Sequence, residues 1–272
     1  MTVRYGIRDI DHAQQRLELF GCKGKSDHKD IVQHFGNLNK TAMLTYMKLI
    51  GSLALIALIL AAYGYYFRAH RYDVKGAIPE ASPGVSEAYF AGGCFWCTEA
   101  DFEKLPGVSE VISGYAGGHL TDPTYPEVVK ETTGHRETIL VRYDPTEVTY
   151  QELVEYFFSH IDPTDPQGSF VDRGESYTSA IFYSSETEKQ IAEEEITRLN
   201  ASGVYDRPVA TMLVPFVKFW PAEEYHQDYY KKNPLRYEYY RDRSGRNEYV
   251  EKTCALRDAK GVPCIQGVVG RL

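Results

Sequence analysis

The chain has 272 residues, 43% hydrophobic and 25% charged, which is material for one sizeable core with extensions. Its formal net charge of −8 argues against a nucleic-acid partner. Five cysteines, odd in number and unevenly placed, do not describe a disulfide scaffold and fit redox chemistry better.

Residues 1–47 form a mixed-charge arm with weak periodicity, read as a disordered or loosely helical extension, with Met43 and Met47 as alternative starts. Cys22 lies in this arm with no partner near it in sequence. The segment 48–68 differs in kind. Leu49 to Phe67 carries no charge and is bounded by Lys48 on one side and by Arg68 and Arg71 on the other. As a helix rising about 1.5 Å per residue it would reach roughly 28 Å, close to the hydrocarbon thickness of a bilayer. It reads as a transmembrane anchor or, if translation starts near Met47, as the apolar core of a signal peptide with Ala62 and Gly64 near the cleavage point. Basic residues on both flanks leave orientation open. Because the rest of the chain lies C-terminal to this segment, a membrane-anchored or exported protein is expected, with its catalytic part on the extracytoplasmic side. Residues 69–85, with Pro, Gly and Ser, read as a linker.

The domain is expected over 86–246, followed by a C-terminal tail at 247–272. Its pattern is strand 87–91, helix 94–105, strand 108–115 and a long loop 116–135, then strand 137–143 and helix 150–160. Thr149 and Glu152 form a capping-box start for that helix, and Asp162-Pro163 follows its end. A second long loop, 162–176, leads to strand 177–183. Helix 186–200 is bracketed by Ser185 with Glu188 and by Gly203, and strand 209–214 and helix 222–232 finish the core. The first six elements run β-α-β-β-α-β, the order of a ferredoxin-like split βαβ unit in a two-layer α+β fold, here preceded by the hydrophobic N-terminal helix. Loops of the length of 116–135 and 162–176 are expected to carry function.

Gly92-Gly93-Cys94-Phe95-Trp96-Cys97-Thr98-Glu99 is the stretch around which the domain is organised. A cysteine where a Gly-Gly turn hands a strand to a helix meets unpaired N–H groups and the positive end of the helix dipole, which favours thiolate. Phe95 and Trp96 would give it an apolar floor. A cysteine before a helix is also commonly a small buried hydrophobe. Half a zinc site is a further reading, but no second Cys or His pair at ligand spacing completes it, since Cys254 and Cys264 are too far apart in sequence.

Gly-Cys-Phe-Trp-x-x-Glu resembles the signature of the peptide methionine sulfoxide reductase A family. Further blocks are similar in order: Gly114-Tyr115-Ala116-Gly117-Gly118, Pro123 to Val128, Thr133 to Glu137, then Gln167-Gly168 with Asp172-Arg173-Gly174 and Tyr177, and Asp228 to Pro234. The resemblance covers roughly Ser86 to Arg246. It implies reduction of methionine S-sulfoxide, free or in proteins, with Cys94 as nucleophile and Glu137 as proton donor. Tyr125 and Tyr177 would hydrogen-bond the oxygen, Phe95 and Trp96 hold the methyl, and Asp172 meet the substrate backbone. Each of these residues alone has an ordinary reading, as a strand-mouth carboxylate, one of 22 tyrosines, a turn-forming Asp or packing. His119 and His135 receive no role, and His226 is expected at most to shape the pocket.

After attack Cys94 becomes a sulfenic acid, which condenses with a nearby thiol. The chain departs from the commonest family pattern here. Cys97 stands where Gly is usual, and the Gly- and Cys-rich tail is replaced by a segment rich in Tyr and Arg, Tyr237 to Val250. Cys97, one helical turn away, is the first resolving candidate, then Cys254, with Cys264 less plausible, then direct reduction by an outside thiol. No bound cofactor or metal is required; the electrons would come from thioredoxin or another dithiol, and a monomer is expected. Two other classes stay open: a Cys-x-x-Cys thiol–disulfide oxidoreductase, and a membrane-tethered binding module with structural cysteines.

Overall fold

The computed structural model describes residues 43–63, 75–76 and 78–265. Most of the arm, including Cys22, and most of the linker up to Lys75 lie outside the described residues. The chain divides into two compact units, 1–67 and 68–272. In the first, helix α1 (Met43–Tyr63) has a mean hydropathy of 2.0 and none of its surface buried, and by length and composition it can cross a membrane. Its described residues include 49–63 of the uncharged run expected at 49–67, whose last four residues lie outside the described ones.

The second unit is built on β1 (Ser86–Ala91), α2 (Phe95–Phe102), β2 (Val108–Ala116), the single turn α3 (Tyr125–Val128), β3 (Arg136–Tyr143) and α4 (Tyr150–Ser159). The short hairpin β4 (Gly168–Ser169) and β5 (Asp172–Arg173) follows, then β6 (Ala180–Tyr183), α5 (Glu186–Ser202), β7 (Met212–Pro215) and β8 (Phe219–Pro221). The main sheet runs β7-β6-β1-β3-β2-β8. Its middle, β6-β1-β3-β2, pairs antiparallel throughout, the strand order of the split βαβ unit. β7 is parallel to β6 through the crossover helix α5, and β8 closes the other edge.

Strand alternation divides the apolar residues between the two faces. Phe90 faces the helices and stacks with Phe102 at 5.3 Å and Phe157 at 5.2 Å. Its neighbour Tyr89 points the other way, into a smaller cluster with Leu140, Phe182 and Phe219. The capping box at Thr149 and Glu152 is formed, and Gly203 ends α5 in the left-handed conformation.

Two helices are shorter than the sequence pattern suggests. α2 stops at Phe102 because the chain tightens into i→i+3 turns at Lys104 and Leu105 before Gly107. The helix expected at 222–232 is reduced to α6 (Tyr229–Lys232). Asp228 takes a left-handed φ of 51°, and Gln227 is drawn off to the edge of β2. Its side-chain amide accepts from Ser113 N and donates to Ser113 O, both at 2.9 Å, as a neighbouring strand would. Tertiary hydrogen bonds thus override helical periodicity there.

Beyond Asn233 the Tyr- and Arg-rich segment forms α7 (Pro234–Arg243) and α8 (Arg246–Ala259). α8 buries the guanidinium of Arg257, which donates to Phe158 O at 2.9 Å and Pro263 O at 3.0 Å. Cys254 is disulfide-bonded to Cys264.

The close approach of β8 depends on Gly114. A Cβ there would lie 2.3 Å from both Trp220 O and the ring of Phe219. Gly114→Ala is therefore expected to destabilise the domain by about 1–3 kcal/mol. The measurement is the urea midpoint at constant m-value, and an unchanged midpoint would mean that β8 does not hold this position.

Candidate active site

Cys94 is the N-cap of α2 and only 5% exposed. Its side chain does not cap the helix. The free N–H of the first turn, on Phe95, donates instead to Glu137 Oε2 at 2.9 Å. Glu137 is brought there by β3, opposite Tyr115 of β2. The Gly-Gly turn makes room for the hairpin: Gly93 has φ 85°, and a Cβ on it would lie 2.3 Å from Ser169 Cβ. That hairpin carries Asp172 to the site.

The two long loops deliver the tyrosines. Tyr125 opens α3, which is fixed by a Thr124–Glu127 capping box, and its N–H donates to buried Glu223 at 2.7 Å. Tyr177 lies in a 3₁₀ turn whose Ser176 N–H and hydroxyl both donate to Glu131 of the other loop, at 2.9 and 2.6 Å. His135 ties the glycine loop to strand β3: Gly118 N donates to its Nδ1 at 3.2 Å, and its other ring nitrogen lies 2.7 Å from Leu120 O.

Cys94, Phe95, Trp96, Tyr125, Glu137, Asp172, Tyr177 and Tyr240 line one cavity of about 50 Å³. The structure thus brings the seven residues singled out in the sequence, Cys94, Phe95, Trp96, Tyr125, Glu137, Asp172 and Tyr177, into one cavity and adds Tyr240, which was not expected. Tyr240 comes from α7, donates its hydroxyl to the Asp172 carboxylate and meets Trp96 edge-on at 6.2 Å. The signal for it was the run Tyr237, Tyr240, Arg241, three and four apart on one helix, in a tail with no assigned role. Trp96 is held on its other side by Tyr229, stacked at 3.7 Å. Its indole N–H donates to His226 Nδ1 at 3.0 Å. Burial lowers the His226 pKa to about 3, so the ring is a neutral acceptor.

Electrostatics divides the two thiols. Burial pushes Cys94 well up, and Cys97, Glu137 and Asp172 add to the effect. Cys97 is lowered to about 7 by its hydrogen bond with Cys94, and by Arg246 and Arg241 against its own burial. The surroundings thus favour the anion on Cys97 over Cys94, against the pull of the helix dipole on Cys94. Glu137 is pushed well above the carboxylate range by burial, which outweighs the Phe95 N–H and Tyr177, while Asp172 reinforces it. A carboxyl so placed keeps its proton to a higher pH than an exposed one, which suits a proton donor. Tyr125 is raised to about 12, by burial first and then by Glu137.

Cys94 and Cys97 are the free cysteines among the described residues. Cys254 is engaged by Cys264 and buried beside Ser159 O.

Comparison with known proteins places this geometry. The family model described as peptide methionine sulfoxide reductase matches residues 86–257, which carries the match eleven residues past the expected domain end at 246 (257 − 246). A Vibrio cholerae protein named peptide methionine sulfoxide reductase MsrA/MsrB is 50% identical over 200 residues, 73% of this chain, and this chain spans 51% of its length. The Bacillus licheniformis MsrA is 49% identical over 165 residues, covering 61% of this chain and 91% of that protein. Among solved structures, methionine sulfoxide reductase A of Corynebacterium diphtheriae superposes with TM-score 0.51 at 31% identity, over 60% of this chain and 89% of that one. Mxr1 of Saccharomyces cerevisiae in reduced form gives 0.53 at 30% identity, over 57% and 90% of the two chains. The family model spans the segment that holds Cys94 and Glu137, relatives and solved structures carry the same name, and the chain belongs to the peptide methionine sulfoxide reductase family, enzymes that reduce methionine sulfoxide at the expense of thiols.

Proposed function

We propose that the domain at 86–246, with the helices after it, reduces the S epimer of methionine sulfoxide in proteins and as the free amino acid, with Cys94 as nucleophile and Glu137 as acid. The observation that carries this reading is the single cavity in which a buried sulfur, a carboxyl held protonated and two tyrosine hydroxyls converge.

The thiol pair shares a proton. When it sits on Cys97, Cys94 is the thiolate that attacks the sulfoxide sulfur. Glu137 donates its proton to the oxygen as negative charge develops there, and Tyr125 and Tyr177 donate hydrogen bonds to it. The oxygen passes to Cys94 as a sulfenic acid and the sulfide leaves. Phe95 and Trp96 receive the methyl, and Asp172 faces the backbone N–H of the substrate. The Cys97 sulfur then attacks the Cys94 sulfenic sulfur, the S–O bond breaks, water leaves and a disulfide forms. Support for Cys97 is its hydrogen bond with Cys94 and the engagement of Cys254 with Cys264. Thioredoxin or another dithiol would reduce the bridge, with no bound cofactor, and a monomer suffices because the cavity is lined by one chain. A plain Cys-x-x-Cys oxidoreductase leaves Glu137, Tyr125 and Asp172 without a task.

The apolar character of α1 supports an anchor or signal at 48–68, with the domain carried to the extracytoplasmic side. Residues 1–47, 69–85 and 247–272 would then be arm, linker and tail.

Cys94→Ser is expected to abolish dithiothreitol-dependent turnover of an S-sulfoxide peptide, while wild type leaves the R form untouched; chiral chromatography of the residual sulfoxide reads both. Cys97→Ser should still reduce one sulfoxide per molecule but fail to cycle with thioredoxin, and full cycling would remove Cys97 as the resolving thiol. Glu137 must be protonated to donate, so the first step should slow as pH rises through its elevated pKa. Glu137→Gln should cost about 10²–10⁴-fold and erase that alkaline limb. A limb that persists in the variant would assign it to another group.

A further inference from the structure

Behind Cys97, on the side away from the cavity, lies a buried charged cluster that the reaction above does not use. Asp101, on the same helix as Cys97, pairs with Arg241 Nη2 of α7 at 2.9 Å. Another arm of that guanidinium reaches Cys97 O at 3.5 Å and Tyr237 Oη at 2.9 Å. Arg246, the first residue of α8, is 1% exposed and enters from the opposite end of the turn. It donates to His160 O at 3.1 Å, Gly92 O at 3.4 Å and Ser169 Oγ at 3.3 Å. Both arginines therefore bracket the Gly92–Cys97 turn through its backbone carbonyls.

Two buried guanidinium groups stand at this turn, with Asp101 beside Arg241 and the carboxylate of Asp172 within the field of Arg246, and buried cations draw nearby acidic groups towards their charged forms. Asp101 Oδ2 and Arg246 Nε have no hydrogen-bond partner. The carboxylate of Asp101 is held below its ordinary range, since Arg241, His160 and Arg246 together outweigh its burial. Other titratable groups face Cys97 as well. Cys94 lies on its own turn and Asp101 on its own helix; Glu137 faces it from β3, and Tyr237, Tyr240 and Arg241 from α7, with Arg246 from α8. Glu137 and both tyrosines hold their protons, each raised chiefly by burial. Cys97, whose own carbonyl Arg241 touches, is the thiol that both cations favour as an anion.

We infer that Arg241, aided by Arg246, is a positioning residue that holds Cys97 ready to attack the Cys94 sulfenic acid, so that these two arginines govern the second half of the reaction without touching the sulfoxide. This rests on the reading of Cys97 as the resolving thiol. In the step itself the Cys97 thiolate forms the S–S bond as the Cys94 S–O bond breaks. The Cys94 sulfur is reduced, the Cys97 sulfur is oxidised, and hydroxide leaves and takes up a proton to become water. The two arginines lose their anion as the bridge forms, which makes the disulfide the higher-energy partner for this site and the dithiol the favoured one.

The test uses the full-length chain. In a Cys94→Ser background, iodoacetamide alkylation of Cys97 is followed against pH by intact mass. Arg241→Gln is expected to raise the alkylation midpoint and to slow the reaction about tenfold at pH values below it, the effect of one pKa unit on thiolate fraction. Asp101→Asn, which removes the opposing charge at the same contact, should move the midpoint down, and Arg241→Lys should restore most of the wild-type profile. With Cys94 present, Arg241→Gln should reduce the first equivalent of S-sulfoxide peptide at the wild-type rate while dimedone-trappable sulfenic acid accumulates. Identical alkylation profiles for wild type and Arg241→Gln would overturn the inference. So would equal slowing by Arg241→Gln and Asp101→Asn, which is the mark of lost packing and not of charge. Full cycling by Cys97→Ser would instead overturn the reading of Cys97 as resolving thiol, whatever the alkylation shows.

Discussion

The site depends on one hydrogen bond, from the Phe95 N–H to the carboxyl of Glu137. It satisfies an orphan donor at the start of α2 and fixes the acid beside the nucleophile in the same contact. It also joins the β1–α2 turn to β3, two strands that are neighbours in the sheet. The price is a buried carboxyl, and burial is what keeps it protonated. The scaffold therefore gains its catalytic acid from the same desolvation that would otherwise only destabilise it.

Around this contact the sheet supplies rigidity and the loops supply reach. Strands β1 and β3 hold the backbone of the nucleophile and the acid. The tyrosines and Asp172 come from the two long connections, which are braced against each other through Glu131 and Ser176. The aromatic wall is braced from behind, where Tyr229 stacks on Trp96 and neutral His226 accepts its indole N–H. Side chains that never meet substrate thus fix the rotamers of those that line the cavity.

Much of this was legible in the sequence because the signals are local. The alternation at 87–91, the Gly-Gly before Cys94 and the box at Thr149 and Glu152 each need only a few neighbouring residues. The order of the motifs along the chain supplied the rest of the cavity. What was not legible is long-range. Gln227 leaves a helical pattern to pair with Ser113, 114 residues away in sequence, and no local rule anticipates that. Tyr240, Arg241 and Arg246 received no role, since nothing in their own Tyr- and Arg-rich segment says that it folds back over α2. The electrostatics of the cysteine pair was illegible for the same reason: the dipole of α2 is local, whereas the charges that act on Cys94 and Cys97 arrive also from α7, α8 and β3.

The cavity closed by Tyr240 is small and deep relative to a folded surface, with Cys94 at 5% exposure. To reach the sulfur, a substrate side chain must leave its own surroundings and enter this cavity. A methionine sulfoxide packed within a folded neighbour cannot do this without leaving its own core. The enzyme would then act as a reader of conformation as much as of chemistry, sampling damaged residues in proportion to how often their surroundings open.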